Sequence, residues 1–157
     1  MTDHLFMGNA ICAVGRNGGL VLPAFVRTTL ARRTDARILL VGCHEVDACL
    51  VAYDPAFAAA LMADSERRRI AEEGGAIQAH HARARRIFGF VADVAFDDGG
   101  ACLLPPMMLR RARIAERALV IGTGGAFEVW NPEVARDGDD PDLAELAAFH
   151  FDVQQAA

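Results

Sequence analysis

The sequence predicts an α+β fold in which β-structure dominates, built from two similar units with pseudo-twofold symmetry and a helical hairpin between them. The first observation is a repeated segment. Each copy has a small-residue turn, an apolar strand, a proline suited to the first turn of a helix and an arginine four positions later. The copies occupy residues 18–27 and 101–110, and they align Pro23 with Pro106 and Arg27 with Arg110.

The second observation is a further match between the two units. The apolar run at 38–42 corresponds to the run at 119–122, and each is followed by a strand-like run that ends in an aromatic residue. Asp54-Pro55 and Asn131-Pro132 come next, and both dipeptides are suited to open a helix. These matched orders indicate a duplicated β-α-β-β unit.

The individual elements follow from apolar periodicity and turn residues. Strands are predicted in the first unit at 6–14, 20–22, 38–41 and 48–53, with a helix at 23–33. Two central helices are predicted at 55–73, ending at Gly74-Gly75, and at 78–88, with Ile87 and Phe88 facing the core. The second unit starts near Gly89 and makes its last hairpin turn at Gly124-Gly125; a polar loop then leads to a helix at 142–153.

These elements divide the chain into four parts. We predict a first β repeat at 6–55, a helical connector at 56–88, a second β repeat at 89–134, and a polar loop with a C-terminal helix at 135–157.

Composition places the chain among globular proteins. It has 157 residues, 53% of them hydrophobic, with a mean hydropathy of +0.19, which allows a core and argues against general disorder. No run approaches the roughly 18 apolar residues of a membrane span. The first residues lack the basic segment of a secretory signal. Four scattered cysteines contain no CxxC pair, which favours reduced thiols over a metal or disulfide framework. A cytoplasmic protein without cofactor, metal or membrane partner is expected.

The charge is acidic overall but unevenly distributed. The formal net charge is −5, which is unlike the basic footprint of a typical nucleic-acid binder. All basic residues are arginines, and they cluster at 67–69, 83–86 and 110–113. Two interpretations stay open: solvated helix faces, or a local phosphate-contacting patch on an acidic protein.

At this point the motifs acquire a family resemblance. The order and spacing of short motifs from residue 6 to about 134 resemble the MraZ family. The matching segments are Phe6-Met7-Gly8, Gly18, Leu20-Val21-Leu22-Pro23, Arg27, Cys49-Leu50-Val51-Ala52-Tyr53, Pro55, Phe88-Gly89, Asp98, Leu103-Leu104-Pro105-Pro106, Leu109-Arg110 and Phe127-Glu128-Val129-Trp130.

The resemblance implies both a fold and a function. It implies two swapped-hairpin units of the SpoVT/AbrB type and a cytoplasmic, nucleoid-associated transcriptional regulator. Proteins of this family assemble into rings and bind repeated promoter elements upstream of a division and cell-wall gene cluster. The implied partners are therefore double-stranded DNA and further copies of the chain.

The sequence departs from the family in the two turns. Members usually carry an Asp-x-x-Gly-Arg turn in each repeat, with the arginine implicated in DNA contact. The first turn here is Gly15-Arg16-Asn17-Gly18-Gly19, and the second is read as Asp98-Gly99-Gly100-Ala101-Cys102, so that Gly19 and Cys102 occupy the arginine positions. Neither residue supplies the bidentate donor that arginine offers to guanine or phosphate. Arg16 is the replacement cation of the first turn.

Other candidate chemistry has a simpler explanation in each case. Cys43-His44-Glu45 with Asp47 has no second cluster to complete four metal ligands, so a polar loop is favoured. His80-His81 is predicted to face solvent on a helix, and Asp97-Asp98 to enter a turn. The glycines at 122–125 join two strands, which favours a hairpin over a phosphate loop. Phe127 and Trp130 are expected in packing or at a subunit interface. No enzyme site is predicted.

Two functional hypotheses follow. The first is a DNA-binding transcriptional regulator whose DNA contacts lie at Arg16, Arg27, Asp98 and Arg110, although Arg27 and Arg110 are equally suited to brace the fold by pairing with a carboxylate. The second is a scaffold or protein-interaction module that has lost specific DNA binding. Either one is expected to self-associate, because the repeats offer a set of apolar residues: Phe6, Leu22, Phe25, Leu104, Met107 and Met108.

Overall fold

A computed structural model of the chain describes residues 4–72 and 77–156. The first three residues and the predicted helix end at Gly74-Gly75 lie outside this part. The first half contains β1 (Asn9–Ala13), β2 (Gly19–Val21), α1 (Ala24–Arg33), β3 (Ile38–Cys43) and β4 (Leu50–Tyr53). The connector contains α2 (Pro55–Ala71), α3 (Ile77–Ala84) and a π-helical turn (Arg85–Gly89).

The second half repeats the order of the first. It contains β5 (Val91–Ala95), β6 (Ala101–Leu103), α4 (Pro106–Ala112), β7 (Arg117–Gly122) and β8 (Phe127–Trp130). Two further helices, α5 (Pro132–Arg136) and α6 (Pro141–Ala156), end the described chain. The fold is therefore α+β and rich in β-structure, as the sequence predicts.

The eight strands form two antiparallel sheets. Six of them are arranged in the order β1-β7-β8-β4-β3-β5, and the other two, β2 and β6, pair as a separate ribbon. The order is symmetric between the halves. When each strand is exchanged for its counterpart (β1 for β5, β2 for β6, β3 for β7 and β4 for β8), the six-stranded sheet gives the same order read from its other end, and the β2–β6 ribbon is unchanged. Four strand pairs join the halves: β1–β7, β3–β5, β2–β6 and β4–β8. In the last two, equivalent strands pair with each other, and their central residue pairs are Leu20 with Cys102 and Val51 with Glu128. The strand pairing is thus that of two interlocked halves; superposition of the halves and the domain boundaries stay predictions.

The main core lies between one face of the sheet, the ribbon and helices α1 and α4. Strand β7 shows how the sheet divides two cores, since Ala118 and Val120 face the main core while Leu119 faces a second one. Trp130 joins this second core, which α5 and α6 cover with Ala135 and Ala147. Alternation along the strand places neighbouring side chains on opposite faces.

Both halves use the same local device to join ribbon and helix. Pro23 and Pro105 precede α1 and α4, and each prolyl carbonyl accepts two amides of the first helical turn. A fixed φ suits proline to this position. Gly18 and Gly100 both have a φ of +86°, a conformation that favours glycine. Their amides hydrogen-bond Gly15 and Asp97, respectively.

Three element predictions are corrected. The first strand begins at Asn9, because Gly8 has a φ of +128° and Phe6 makes only an isolated bridge to Gly124. The second central helix changes to a π-helical turn at Arg85, which leaves Phe88 40% exposed and not in the core. The C-terminal helix begins at Pro141, inside the predicted polar loop.

The apolar set proposed for self-association is also corrected. Four of its six members are buried within the chain, and Phe25 is half-buried. These four are Phe6, Leu22, Leu104 and Met108. The sixth member, Met107, is 50% exposed, and further exposed apolar side chains lie at Leu5, Met7, Val21 and Leu103.

Candidate nucleic-acid interface

The first turn, residues 15–19, joins β1 to the ribbon. Its backbone is closed by the Gly15 amide donating to the Gly19 carbonyl at 2.8 Å. The Asn17 side chain adds an acceptor for the Gly19 amide at 3.1 Å. Arg16 stands exposed at the tip, and among the described residues its guanidinium has no carboxylate partner. A cation held this way is available to an external anion.

The second turn, residues 97–101, has the same backbone but different side chains. The Asp97 amide donates to the Ala101 carbonyl at 3.1 Å. The Asp97 carboxylate accepts the amides of Gly99 and Ala101 at 3.0 and 2.9 Å. This carboxylate is therefore a structural part of the turn.

These hydrogen bonds correct the alignment of the two turns by one residue. Gly15 is equivalent to Asp97, so Gly19 is equivalent to Ala101 and Arg16 to Asp98. The second arginine position is consequently Ala101, which is exposed, and not Cys102. Cys102 is only 7% exposed and lies opposite Leu20 in the ribbon.

The equivalent positions carry opposite charges. At the second turn Asp98 pairs with Arg37, and the Arg37 carbonyl accepts the amide of Phe96 at 3.0 Å. At the first turn the Glu116 carbonyl accepts the amide of Val14 at 2.8 Å in the same way. The first turn thus has Arg16 where the second has Asp98, and Glu116 where the second has Arg37. Since Asp98 is an ion-paired carboxylate, the structure offers it no means of attracting a phosphate directly.

Arg27, on α1, supports the second turn. Its Nε donates to the Leu22 carbonyl at 3.0 Å. Its side chain also packs closely against Gly100, since a Cβ added to that glycine would lie 2.5 Å from the Arg27 Cδ. The equivalent contact at Gly18 is made by Leu109, and not by Arg110. Arg27 therefore braces the turn through a backbone carbonyl, where the sequence suggested a carboxylate, and Arg110 is not its counterpart.

Arg110 is exposed on α4 and follows Leu109, the residue that packs against Gly18 of the first turn. Within the described chain it has no ion-pair partner. The next residue, Arg111, lies over the Phe90 ring at 5.0 Å. We refer to Arg16 and Arg110 together as the basic edge.

The two arginine clusters of the connector differ from the basic edge because most of their charges are paired. Arg67 and Arg69 pair with carboxylates three residues earlier on α2. Arg68 pairs with Asp64 and Glu45, and Arg83 pairs with Glu72 at 2.6 Å. These contacts favour the interpretation of ion-paired helix faces over that of a phosphate patch.

The remaining polar candidates have structural partners. Nδ1 of His44 accepts the amides of Val46 and Asp47 at 3.0 and 2.9 Å, which closes the β3–β4 loop. His80 is half-buried and His81 exposed. Across residues 4–72 and 77–156, no group of three or more His, Cys, Asp or Glu side chains is arranged to hold a metal ion. None of the helices there is long and apolar enough to cross a membrane.

Comparison with known proteins places the chain among relatives that share one name. No protein-family model matches it. A protein named "Transcriptional regulator MraZ" from Saccharophagus degradans is 28% identical over 146 residues, which cover 88% of this chain and 92% of the relative. Its namesakes from Cytophaga hutchinsonii and Legionella pneumophila are 27% and 28% identical, over 90% and 92% of this chain and 91% of each relative. These relatives confirm the resemblance that the motifs indicate.

Proposed function

Because this chain is a relative of the MraZ transcriptional regulators along about nine-tenths of its length, we propose that it regulates transcription by binding double-stranded DNA. The observation that supports this proposal is the basic edge. It presents two exposed guanidinium groups without an ion-pair partner among the described residues, and one of them, that of Arg16, stands on a turn whose position the family uses for DNA contact. Arginine on an exposed turn is suited to phosphate or to the guanine edge.

The two turns contribute unequally in this proposal. The first turn carries Arg16, while the second carries the paired Asp98 and the carboxylate of Asp97. The target is proposed to be a set of promoter repeats upstream of a division and cell-wall gene cluster. Nucleoid association in the cytoplasm and a ring-like homo-oligomer belong to the same proposal. A ring aligns one basic edge from each protomer, which offsets the acidic net charge locally.

The test is salt-dependent binding to the DNA upstream of the chain's own gene. The logarithm of the binding constant is expected to fall linearly with the logarithm of salt concentration. Arg16→Ala is expected to lower the slope by about one unit for each engaged protomer. Arg67→Ala, which removes an exposed but ion-paired arginine of α2, is the matched control and is expected to leave the slope unchanged.

The second candidate function is a scaffold that has lost specific DNA recognition. The absence of arginine at Gly19 and Ala101 favours it. It predicts that the parent shows no salt-dependent DNA binding and that Gly19→Arg with Ala101→Arg acquires it. Binding by the parent that Arg16→Ala leaves intact would instead move the interface away from the basic edge.

A further inference from the structure

A cavity of about 270 Å³ lies between the sheet and the helical connector, away from both turns. On the connector side the lining is apolar and consists of Phe57, Leu61 and Ile87. On the sheet side Tyr53 and Glu128 line the cavity from the same face of neighbouring strands, together with polar groups of the β3–β4 loop. Its volume is just below the roughly 300–1,000 Å³ of sites for drug-sized molecules. The cavity therefore suits a ligand of few heavy atoms.

Glu128 is held in place on the cavity wall by two neighbours. Its Oε1 accepts the indole N–H of Trp130 at 2.8 Å. Its Oε2 lies 3.4 Å from Nε2 of His44. The side chain is 19% exposed, so water screens its charge only in part.

The two neighbours leave the negative charge of Glu128 uncompensated. Nδ1 of His44 accepts two backbone amides, so the ring proton lies on Nε2 and the imidazole is neutral. Indole is a neutral donor as well. In the described part of the chain, the guanidinium groups at this end of the cavity are directed at Glu45: Arg68 binds its carboxylate and Arg86 its carbonyl.

The aromatic wall complements a cation. Tyr53 and Phe57 meet edge to face, with ring centroids 5.6 Å apart. Phe57 also packs against Gly125, where a Cβ would come within 2.5 Å of its ring. A cation near aromatic faces gains quadrupole attraction that grows as water is excluded. A carboxylate that lines the same cavity as two aromatic rings is thus a suitable environment for an alkylammonium group.

We propose that this cavity binds a small organic cation, with its ammonium group between Glu128 and the Tyr53 and Phe57 rings and its aliphatic part against Leu61 and Ile87. The proposal does not depend on DNA binding. The cavity adjoins β4 and β8, which pair with each other across the two halves at the centre of the large sheet. A cation bound there would contact both halves of the fold.

The test compares choline with its neutral isostere, 3,3-dimethylbutan-1-ol, on the full chain. Trp130 is the only tryptophan and donates to Glu128, so its fluorescence and its indole N–H resonance report on the site directly. Calorimetry supplies the dissociation constant. Choline is expected to shift the Trp130 signal saturably and to bind at least about tenfold more tightly than the isostere.

Glu128→Gln preserves the size of the side chain and an acceptor for Trp130, and it is expected to weaken choline binding by about tenfold or more. Phe57→Leu keeps the wall apolar without its ring and is expected to weaken choline selectively. Glu133→Gln, at an exposed position of α5, is the control and is expected to have no effect. The proposal is overturned if the isostere binds as well as choline, if Glu128→Gln binds choline unchanged, or if the parent binds no choline.

Discussion

At the residue scale, neighbouring positions 101 and 102 have opposite tolerances for arginine. Ala101 is exposed at the end of the second turn, while Cys102 is buried against the main core. We expect Ala101→Arg to fold normally and to strengthen DNA binding, adding about one unit of salt slope per engaged protomer. Binding titrations at several salt concentrations measure the gain.

The partner variant is Cys102→Arg. It places an unpaired charge in the core, and we expect it to lose roughly 3–5 kcal/mol of unfolding free energy in urea. Equal stability of the two variants would contradict the assignment of the second arginine position to Ala101.

The one-residue correction shows what the sequence could not decide. The second repeat has two consecutive prolines, so Pro105 and Pro106 align equally well with Pro23. Aligning Pro106 with Pro23 also aligns Arg110 with Arg27, which makes the two sequence segments more similar. The backbone hydrogen bonds select Pro105, and no residue pattern reports them. The sequence could identify Arg16 as the candidate contact of the first turn, because that turn contains no other cation; its role in DNA binding stays a prediction.

The thiols of Cys12 and Cys102 are expected to make the free energy of unfolding fall as the pH becomes alkaline. Burial raises the pKa of Cys12 from 9.0 to about 11, and burial, aided by the nearby Cys12 and Asp97, raises that of Cys102 to about 11. The folded chain holds these protons more tightly than the unfolded chain does. Their contribution is therefore complete below pH 9 and is lost as the pH rises towards 11.

We expect the urea midpoint to fall between pH 9 and 11. Burial raises the pKa of the Cys49 thiol as well, so Cys12→Ala with Cys102→Ala is expected to flatten this decrease in part, whatever stability the double variant loses at neutral pH. Urea titrations of both proteins at several pH values measure the slope. Equal slopes in the parent and the double variant would show that these thiols do not cause it.

At the element scale, Arg33 joins four segments of the chain. Its guanidinium lies 2.7 Å from the fully buried Asp54 carboxylate and donates to the carbonyls of Gly125 and His4. It also lies over the Phe6 ring at 4.9 Å. We refer to these contacts as the Arg33 clamp. They fasten the end of α1 to the start of α2 and to the β7–β8 turn.

We expect Arg33→Met to cost roughly 3–5 kcal/mol of unfolding free energy, because it leaves a buried carboxylate without a cation. Adding Asp54→Asn is expected to recover much of that loss, since it removes the stranded charge. Urea unfolding of the parent, both single variants and the double variant gives the coupling. Additive losses would mean that the two side chains do not act as a pair.

Elements were predictable from sequence where periodicity and turn chemistry agree. The proline before α1 and the glycines of the β7–β8 turn located those boundaries well. The pairing of β1 with β7 and of β3 with β5 was not predictable, because alternation along a strand does not identify its neighbour. Phe88 was misplaced because its apolar character indicated a core position, whereas the π-helical turn leaves it exposed.

At the scale of the whole molecule, one strand arrangement carries two different surfaces. The registers repeat between halves, yet Arg16 and Glu116 occupy the positions of Asp98 and Arg37. The sheet face that points away from the main core is also covered differently in its two parts: α5 and α6 cover one part, and the helical connector covers the other. The same strand order thus carries two different turns: the first, with Arg16, is where we propose the DNA contact, and the second is braced by Arg27 and ion-paired through Asp98.

Self-association is the last prediction, and the structure locates a candidate surface for it. Leu5, Met7 and Phe25 line a shallow groove beside α1, and Met7 is 62% exposed. Exposed apolar side chains that adjoin one another mark association surfaces. We therefore expect the purified chain to be a homo-oligomer in static light scattering at micromolar concentration, and Met7→Glu to shift it towards monomer.

The matched control is Met62→Glu, which adds the same charge at a methionine that is 50% exposed on α2; we expect it to leave the oligomer intact. Circular dichroism and urea unfolding establish that both variants fold. An oligomer that resists Met7→Glu would move the interface elsewhere, with the Val21 and Leu103 side chains of the ribbon as the next surface to change. A monomeric parent would contradict self-association itself. Because a ring would bring several basic edges to one DNA molecule, a dissociated but folded Met7→Glu should also show a shallower salt slope than the parent.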